Sequence, residues 1–176
     1  RMTRPERQRA PVIHQRERDL VIATHGRSLY IVDDIRPLEE FHDSIRLKEA
    51  HFFTPGNAEA FELLPGFADW AGVGVFRGAN PPSGAILTYW IRGYNGDGVS
   101  FTMKNAAGQT VATLSGPGTS GFNRVAWDLK MSRELLSDYG GEGQKFVAPG
   151  EYTISFSYGK ISQERKIVLS AAPGLE

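Results

Sequence analysis

Residues 151–158 read EYTISFSY, which is the clearest structural signal in the chain. Aromatic and aliphatic residues alternate there with polar residues. Because successive side chains of a β-strand point to opposite faces, this alternation predicts a strand with one buried and one solvated face. Residues 99–104 read VSFTMK and alternate in the same way, which predicts a second strand of the same kind.

Four more β-forming runs flank these two strands, at residues 85–92, 110–114, 123–129 and 161–169. Turn sequences rich in Gly, Asn and Pro separate them, and no long helical pattern lies between them. Short strands joined by tight turns predict an all-β fold, here an antiparallel immunoglobulin-like β-sandwich at residues 80–172. The residues expected in its core are Leu87, Tyr89, Ile91, Val99, Phe101, Met103, Val125, Trp127, Tyr152, Ile154, Phe156 and Val168.

A separate β pattern precedes the sandwich. After a charged, irregular lead-in, two apolar runs within residues 19–33 surround the turn HGRS, which predicts a β-hairpin. A short helix is expected next, with Asp34 as its candidate cap. Both elements fall in a first unit, residues 1–49.

The segment between the two units has no clean period. Residues 50–79 combine scattered aromatic residues with several Gly and Pro, so we expect an irregular connector with a short strand near residues 73–76. Its aromatic side chains are expected to anchor it to a core.

The composition restricts the classes of function. Lys+Arg and Asp+Glu both number 20 in the 176 residues, which gives a formal net charge of zero. Such a balance lacks the basic excess typical of proteins that bind nucleic acid. No apolar run is long enough to span a membrane. The absence of Cys excludes disulfides, thiolate metal sites and cysteine nucleophiles.

Candidate catalytic and metal-binding residues have simpler structural interpretations. The neighbours Asp33 and Asp34 would point to opposite faces of a strand, so they do not form a pair of carboxylates facing one bond. His25 and Arg27 lie in a hairpin turn, where polar residues are common. The His residues are dispersed without the spacing of a zinc site. We therefore expect no catalytic residue, no metal and no cofactor.

Several motifs resemble one known family. Residues 19–38, DLVIATHGRSLYIVDDIRPL, resemble the end of bacterial sortilin-like (Vps10-like) β-propellers, which are commonly labelled glycosyl hydrolases with sialidase-type Asp-box (BNR) repeats. Residues 79–91, ANPPSGAILTYWI, resemble the start of the sandwich that follows such a propeller. GFNRVAWDL at 121–129 and APGEYT at 148–153 are similar to later strands of that sandwich.

The resemblance implies a context for the chain. The hairpin would be the remnant of the last propeller blade, and the propeller of the parent chain would be the partner of this module. The location would be extracytoplasmic, either periplasmic or secreted. The Asp-box repeats do not occur in these 176 residues, so a site that the family carries on its propeller has no position here.

The expected function is that of a non-catalytic accessory or interaction module in such a larger protein. One alternative is a carbohydrate-binding module, with Trp70, Trp90 and Tyr94 as substrate-binding aromatic residues that stack on sugar rings. Another is part of a glycoside hydrolase whose active site lies on the propeller. Binding of a protein ligand is a further alternative. Both faces of the hairpin are apolar, so it is a candidate surface for homo-oligomer formation.

Overall fold

The computed structural model describes residues 11–23, 29–60, 82–136 and 146–171. These residues form a mostly β structure, as the sequence predicts. The strands are β1 (Val12–Ile13), β2 (Leu20–Ala23), β3 (Leu29–Val32), β4 (Ala50–Phe52), β5 (Ala58–Ala60), β6 (Ala85–Ile91), β7 (Val99–Lys104), β8 (Thr110–Gly116), β9 (Gly121–Trp127), β10 (Gly150–Tyr158) and β11 (Ile161–Ala171). The helices are α1 (Arg36–Glu40), α2 (Asp43–Arg46) and α3 (Arg133–Leu136).

Two sheets make up the larger part of the structure. One has the strand order β5-β11-β10-β7-β8, and the other has the order β4-β6-β9. Neighbouring strands are antiparallel except for β5 and β11, which are parallel. The strand pairs within residues 80–172 are all antiparallel, as expected there, and the parallel strand β5 comes from the expected connector. The chain moves from one sheet to the other between Phe52 and Ala58, and it enters the second sheet alongside β11.

The apolar core lies between these two sheets. The ring of Phe52 on β4 lies 5.4 Å from the ring of Phe101 on β7 and 5.7 Å from that of Phe156 on β10. Tyr89 on β6 makes ring contacts with the same two residues, at 5.4 and 5.5 Å. Removing these aromatic surfaces from water holds the sheets face to face.

The predicted core is confirmed except at its end. Ten of its twelve residues are buried, and Val125 is partly buried against them. The prediction that Val168 lies in the core is wrong, because Val168 is 48% exposed. The register explains this: Val168 lies opposite Glu151 on the solvent face, whereas Ile167 lies opposite the buried Tyr152.

The first part of the expected connector contains two strands. β4 and β5 belong to the two packed sheets, so the chain joins this structure at Ala50 and not at residue 80. Three-residue strands are too short to show a period, which is why the sequence pattern missed them. Phe52 and Phe53 are fully buried, consistent with the expected anchoring by aromatic residues. The strand expected at residues 73–76 lies outside the described residues.

The expected hairpin at residues 19–33 is confirmed. β2 and β3 pair antiparallel, with Val21 opposite Ile31, while the turn with His25 and Arg27 lies outside the described residues. β1 adds a third strand in the region expected to be an irregular lead-in, and the sheet order is β1-β2-β3.

The short helix expected after the hairpin is α1. Ile35 occupies its N-cap position without a side-chain cap. Asp34 precedes the cap and has a φ of 50°, and its Oδ1 accepts the N–H of Arg36 at 3.2 Å. Asp34 therefore supports the start of the helix from one residue further out than expected.

Candidate functional site

The outer face of the β4-β6-β9 sheet carries a group of aromatic rings. Trp90 on β6 is half-buried, and its ring lies 5.0 Å from Phe41 and 5.5 Å from Phe122 on β9. Phe41 also lies 4.8 Å from Phe122, and Phe53 stacks on Phe122 at 5.5 Å. We call these four residues the outer aromatic cluster. The cluster attaches the segment after α1 to the outer face of the sheet.

The outer aromatic cluster changes the interpretation of Trp90 as a ligand platform. Segments of the same chain already contact its ring. Its indole Nε1 is buried and has no hydrogen-bond partner among the described residues. A stacking surface for a sugar needs an open ring face and polar groups at its rim. Trp90 therefore packs against Phe41 and Phe122 of its own chain and is half-buried.

Tyr94 has the opposite environment. It lies in the loop between β6 and β7, and 68% of it is exposed. Its backbone N–H donates to Ser120 Oγ at 3.2 Å, which holds the loop against the loop between β8 and β9. Tyr94 makes none of the described ring contacts with Trp90, so the structure does not combine them into one surface. Trp70, the third expected binding residue, lies outside the described residues.

A polar group reinforces the attachment near the outer aromatic cluster. Glu40 Oε1 lies 2.9 Å from Nε2 of His51 on β4, and Glu40 Oε2 accepts the N–H of Thr54 at 3.0 Å. His51 is buried at 5% exposure, whereas the Glu40 side chain is 29% exposed. Nδ1 of His51 is buried and has no hydrogen-bond partner in the described part of the chain. Glu40 thus connects the end of α1 to the larger β structure.

Burial and hydrogen bonding set the charges of this pair. Burial lowers the pKa of His51, although its hydrogen bond to Glu40 acts in the opposite direction. Burial alone would raise the pKa of Glu40, but the hydrogen bonds from Thr54 and His51 outweigh it and lower that pKa. The arrangement therefore favours a neutral imidazole that donates to an ionised carboxylate at neutral pH.

A cleft of about 940 Å³ lies between the N-terminal sheet and the larger β structure. Asp19, Asp33, Asp34 and Arg36 line one side, and the other side includes Gly56. The Arg36 guanidinium lies so close to Gly56 that a Cβ there would meet its Nη1 at 1.7 Å. The lack of a side chain at Gly56 is what gives Arg36 its place in the cleft.

The acidic residues Asp33 and Asp34 both line the cleft. They follow the end of β3 at Val32, and Asp34 has a φ of 50°. Burial raises the pKa of Asp34, and the charge of Asp19 acts in the same direction, against the nearby Arg36 and Arg124.

Two carboxyl groups that lie close together can form an acid–base pair. Here both carboxylates already accept hydrogen bonds from the chain. Asp19 Oδ1 accepts the N–H of Asp34 at 3.0 Å, and Asp34 Oδ1 accepts the N–H of Arg36 at 3.2 Å. These bonds fix the backbone path from β3 into α1, which is a structural role for both carboxylates.

Sequence reasoning missed several residues that connect the two parts. Arg124 on β9 donates from Nη2 to the carbonyl oxygens of Asp33 at 3.1 Å and Asp34 at 3.5 Å. The two ends of these bonds are about ninety positions apart, and no local pattern signals such a contact. The motif GFNRVAWDL contains both Arg124 and Phe122, but its alternation shows only that they share an outward face.

The edge strand β3 is a further candidate surface, besides the outer aromatic cluster and the cleft. Leu29, Tyr30, Ile31 and Val32 are 62%, 58%, 55% and 37% exposed, although all four are apolar or aromatic. β3 pairs with β2 on one side, and no strand of the described chain pairs with its other side. Among the described residues, both opposite faces of β3 and one of its edges are therefore exposed.

Two absences apply to the described residues alone. No group of three or more His, Asp or Glu side chains there is placed to hold a metal ion. None of the described helices is long and apolar enough to cross a membrane.

Comparison of the chain with protein-family models, curated proteins and solved structures gave no significant match.

Proposed function

We propose that this chain is a non-catalytic interaction module of a larger extracytoplasmic protein. An immunoglobulin-like β-sandwich serves as its scaffold, and the β1-β2-β3 sheet presents the contact surface. The partner in this proposal is a β-propeller of the parent chain, as the resemblance of residues 19–38 to sortilin-like propellers implies.

Three features support an immunoglobulin-like scaffold. The chain changes sheets between β6 and β7, between β8 and β9, and between β9 and β10, as Greek-key connections do. Tyr152 near the start of β10 donates from its hydroxyl to the carbonyl of Ala148 at 2.7 Å, a bond that resembles the tyrosine corner of this fold. Trp127 is buried beside Tyr152, with ring centroids 5.7 Å apart.

The observation that carries the functional proposal is the exposure of β3. A strand whose two faces are both apolar is typical of a strand that packs between neighbouring layers. Exposed apolar surface on both faces of β3 supports an interaction site there. The outer aromatic cluster, Glu40 and Arg124 hold this sheet on the scaffold, so the surface is presented in a fixed place.

The proposal is tested with the part of the parent protein that precedes this chain, expressed separately. We expect the 176-residue chain to bind it in calorimetry, and Ile31→Lys to weaken binding by about 10-fold or more, since a buried lysine must lose its hydration. Val168→Lys is the matched control, because Val168 is 48% exposed but its strand has neighbours on both sides. Equal loss in both variants, or no binding, contradicts the proposal.

Carbohydrate binding is a second candidate, favoured by Tyr94. Its 68% exposure on a loop anchored by Ser120 offers an exposed aromatic ring on which a sugar could stack. A glycan array probed with the chain tests this candidate. Binding that is lost in Tyr94→Ala and kept in Trp90→Phe would support it, and an array without signal would contradict it.

Participation in a glycoside hydrolase is the third candidate, and the cleft with Asp34 is the feature to test. The proposed module has no activity on a panel of aryl glycosides. Turnover by the chain that disappears in Asp34→Asn would overturn the non-catalytic proposal. Turnover by the full parent protein that persists in its Asp34→Asn variant would place the catalytic groups elsewhere in the parent.

A further inference from the structure

The loop between β6 and β7 contains the sequence YNGDG at residues 94–98. Asn95 and Gly96 form the single Asn-Gly pair of the chain, and both residues are exposed. Gly96 has a φ of 91° and no Cβ, so its backbone nitrogen is sterically accessible. Among the described residues, the N–H of Gly96 has no hydrogen-bond acceptor. This nitrogen is therefore free to react with a neighbouring group.

The side-chain amide of Asn95 connects this loop to Glu49, the residue before β4. Its Nδ2 donates to Glu49 Oε1 at 3.1 Å and to Asp97 Oδ2 at 2.9 Å. Its Oδ1 accepts the N–H of Asp97 at 3.0 Å, which forms an Asx turn. The carboxylate of Asp97 lies close to the turn between β10 and β11, because a Cβ at Gly159 would meet Asp97 Oδ2 at 2.4 Å. The amide thus lies between two carboxylates, and both accept hydrogen bonds from it.

An Asn that precedes Gly can react with its own backbone, when the Gly nitrogen attacks the Asn side chain at Cγ. Negative charge then develops on Oδ1. The N–H of Asp97 already donates to Oδ1 of Asn95 at 3.0 Å, within the range at which a fixed donor stabilises such a charge. This hydrogen bond strengthens as the oxygen becomes charged. The geometry of the loop therefore favours the first step of the reaction.

We propose that Asn95 is a site of spontaneous deamidation, and that loss of its amide releases the loop from Glu49. In the first step, the backbone nitrogen of Gly96 forms a bond to Cγ of Asn95, and its proton passes to solvent. The bond from Cγ to Nδ2 breaks, and Nδ2 takes up a proton from solvent and leaves as ammonia. Water then opens the cyclic imide at either carbonyl carbon, which leaves aspartate or isoaspartate at position 95. The β3 surface of the proposed function takes no part in this site.

The product differs from the amide in its charge and in its hydrogen-bond donors. A third carboxylate replaces a group that donated to Glu49 and Asp97, and like charges at such short separations repel each other. Isoaspartate also adds a methylene group to the backbone, which changes the spacing of the turn. Because Asp97 lies against Gly159, we expect the repulsion to move the loop away from Glu49. Tyr94, the neighbour of Asn95, should move with it.

Peptide mass spectrometry of the full chain, kept in mildly alkaline buffer, tests the reaction. We expect aspartate and isoaspartate to accumulate at position 95 while Asn105 keeps its amide. Asn105 is the control within the same chain, because Ala106 follows it and its side chain is hydrogen-bonded to Gln109. Equal conversion at the two positions, or an unchanged Asn95, overturns the proposal.

Two variants test the route through the Gly96 nitrogen. Gly96→Ala should slow the conversion several-fold, because its Cβ hinders the attack on Asn95. No atom lies within 4 Å of that Cβ, so the loop has room for it, and circular dichroism checks that the variant is folded. Asn95→Gln leaves the backbone at Gly96 unchanged and should keep its amide, because its longer side chain forms the ring more slowly. Conversion of either folded variant at the wild-type rate overturns the proposal.

Hydrogen exchange followed by mass spectrometry tests the release of the loop. The backbone amides of Tyr94, Asn95 and Asp97 donate to acceptors there. Asn95→Asp, which reproduces the aspartate product, should exchange these amides faster than the wild type, while β10 stays protected. Addition of Glu49→Gln should restore part of the protection, because it removes one of the repelling carboxylates. Wild-type exchange in Asn95→Asp, or the same acceleration of this loop in Asn105→Asp, overturns the proposal.

Discussion

β10 and β3 are both rich in apolar residues, yet they differ in burial. The inward residues of β10 are at most 5% exposed, whereas every residue of β3 is at least 37% exposed. β10 has neighbours on both sides and a second sheet across its inner face, while β3 has one neighbour in the described chain. The comparison teaches that apolar composition defines which strand surfaces can be buried. Whether such a surface is buried depends on the neighbouring strands and sheets that can cover it.

The largest expected effect is the loss of stability on substitution of Trp127, in the buried region. Trp127 is 1% exposed, contacts Tyr152 and donates from Nε1 to the carbonyl of Lys130 at 3.0 Å. Trp127→Ala should lower the free energy of unfolding by about 3–5 kcal/mol, because it leaves a cavity between the sheets. Urea unfolding followed by circular dichroism measures this. A loss as small as that of Ile31→Ala would break the comparison.

A smaller effect is expected at the proposed tyrosine corner. Tyr152→Phe removes the hydroxyl that donates to Ala148 and keeps the buried ring. It should lower the free energy of unfolding by about 1 kcal/mol, the usual contribution of such a hydrogen bond, and leave the carbonyl of Ala148 without this donor. Urea unfolding at neutral pH measures the change. Ser155→Ala on the same strand is a control that keeps the core contacts of Tyr152.

The connection between the two regions should depend on pH. His51 has a lowered pKa in the folded state, so the unfolded chain binds the proton more tightly. Its contribution to stability is present at neutral pH and is lost as the pH falls below about 6.5, the pKa of an unperturbed histidine. Glu40, whose pKa is also lowered, adds a further loss at more acidic pH, as the carboxylate is protonated.

The measurement is the free energy of unfolding at a series of pH values for the wild type and for His51→Gln. We expect a smaller decrease between neutral and mildly acidic pH in the variant. His42→Gln is the matched control, since His42 is exposed. An identical pH profile in wild type and His51→Gln would show that this group does not couple folding to pH.

The smallest effect on stability is expected at β3 itself. Ile31→Lys should change the free energy of unfolding of the monomer by no more than about 0.5 kcal/mol, as expected for an exposed position. Measured at low concentration, this sharpens the comparison, because the same substitution should strongly affect association. A loss of several kcal/mol would mean that β3 packs inside the monomer and is not a contact surface.

Periodicity in the sequence identifies most strands of the larger β structure. Residues 99–104 and 151–158 showed their inward faces directly, and the hairpin at residues 19–33 followed from two apolar runs around a turn. β1, β4 and β5 were missed because strands of two or three residues carry no measurable period. Val168 was misplaced because Val168 and its neighbours Ile167 and Leu169 are all apolar, so only the pairing with β10 reveals the inward face.

The candidate sites were less predictable than the fold. Trp90 and Tyr94 lie four positions apart and looked equally available, but Phe41 and Phe122 cover one and leave the other open. Asp33 and Asp34 were expected on opposite faces of a strand, but β3 ends at Val32, and both residues line one cleft after it. Such outcomes depend on contacts between distant segments and on backbone angles that residue types do not specify.

The sequence by itself determined the β character of this protein, the inward faces of its long strands and its neutral charge. Those properties follow from local alternation and composition, which each segment carries alone. Only the tertiary structure decided which apolar surfaces are covered, where Arg36 and Arg124 lie, and that β3 has a single neighbouring strand among the described residues. These outcomes depend on contacts between two surfaces. The free energy gained on burial depends on both surfaces, so neither sequence segment specifies it alone.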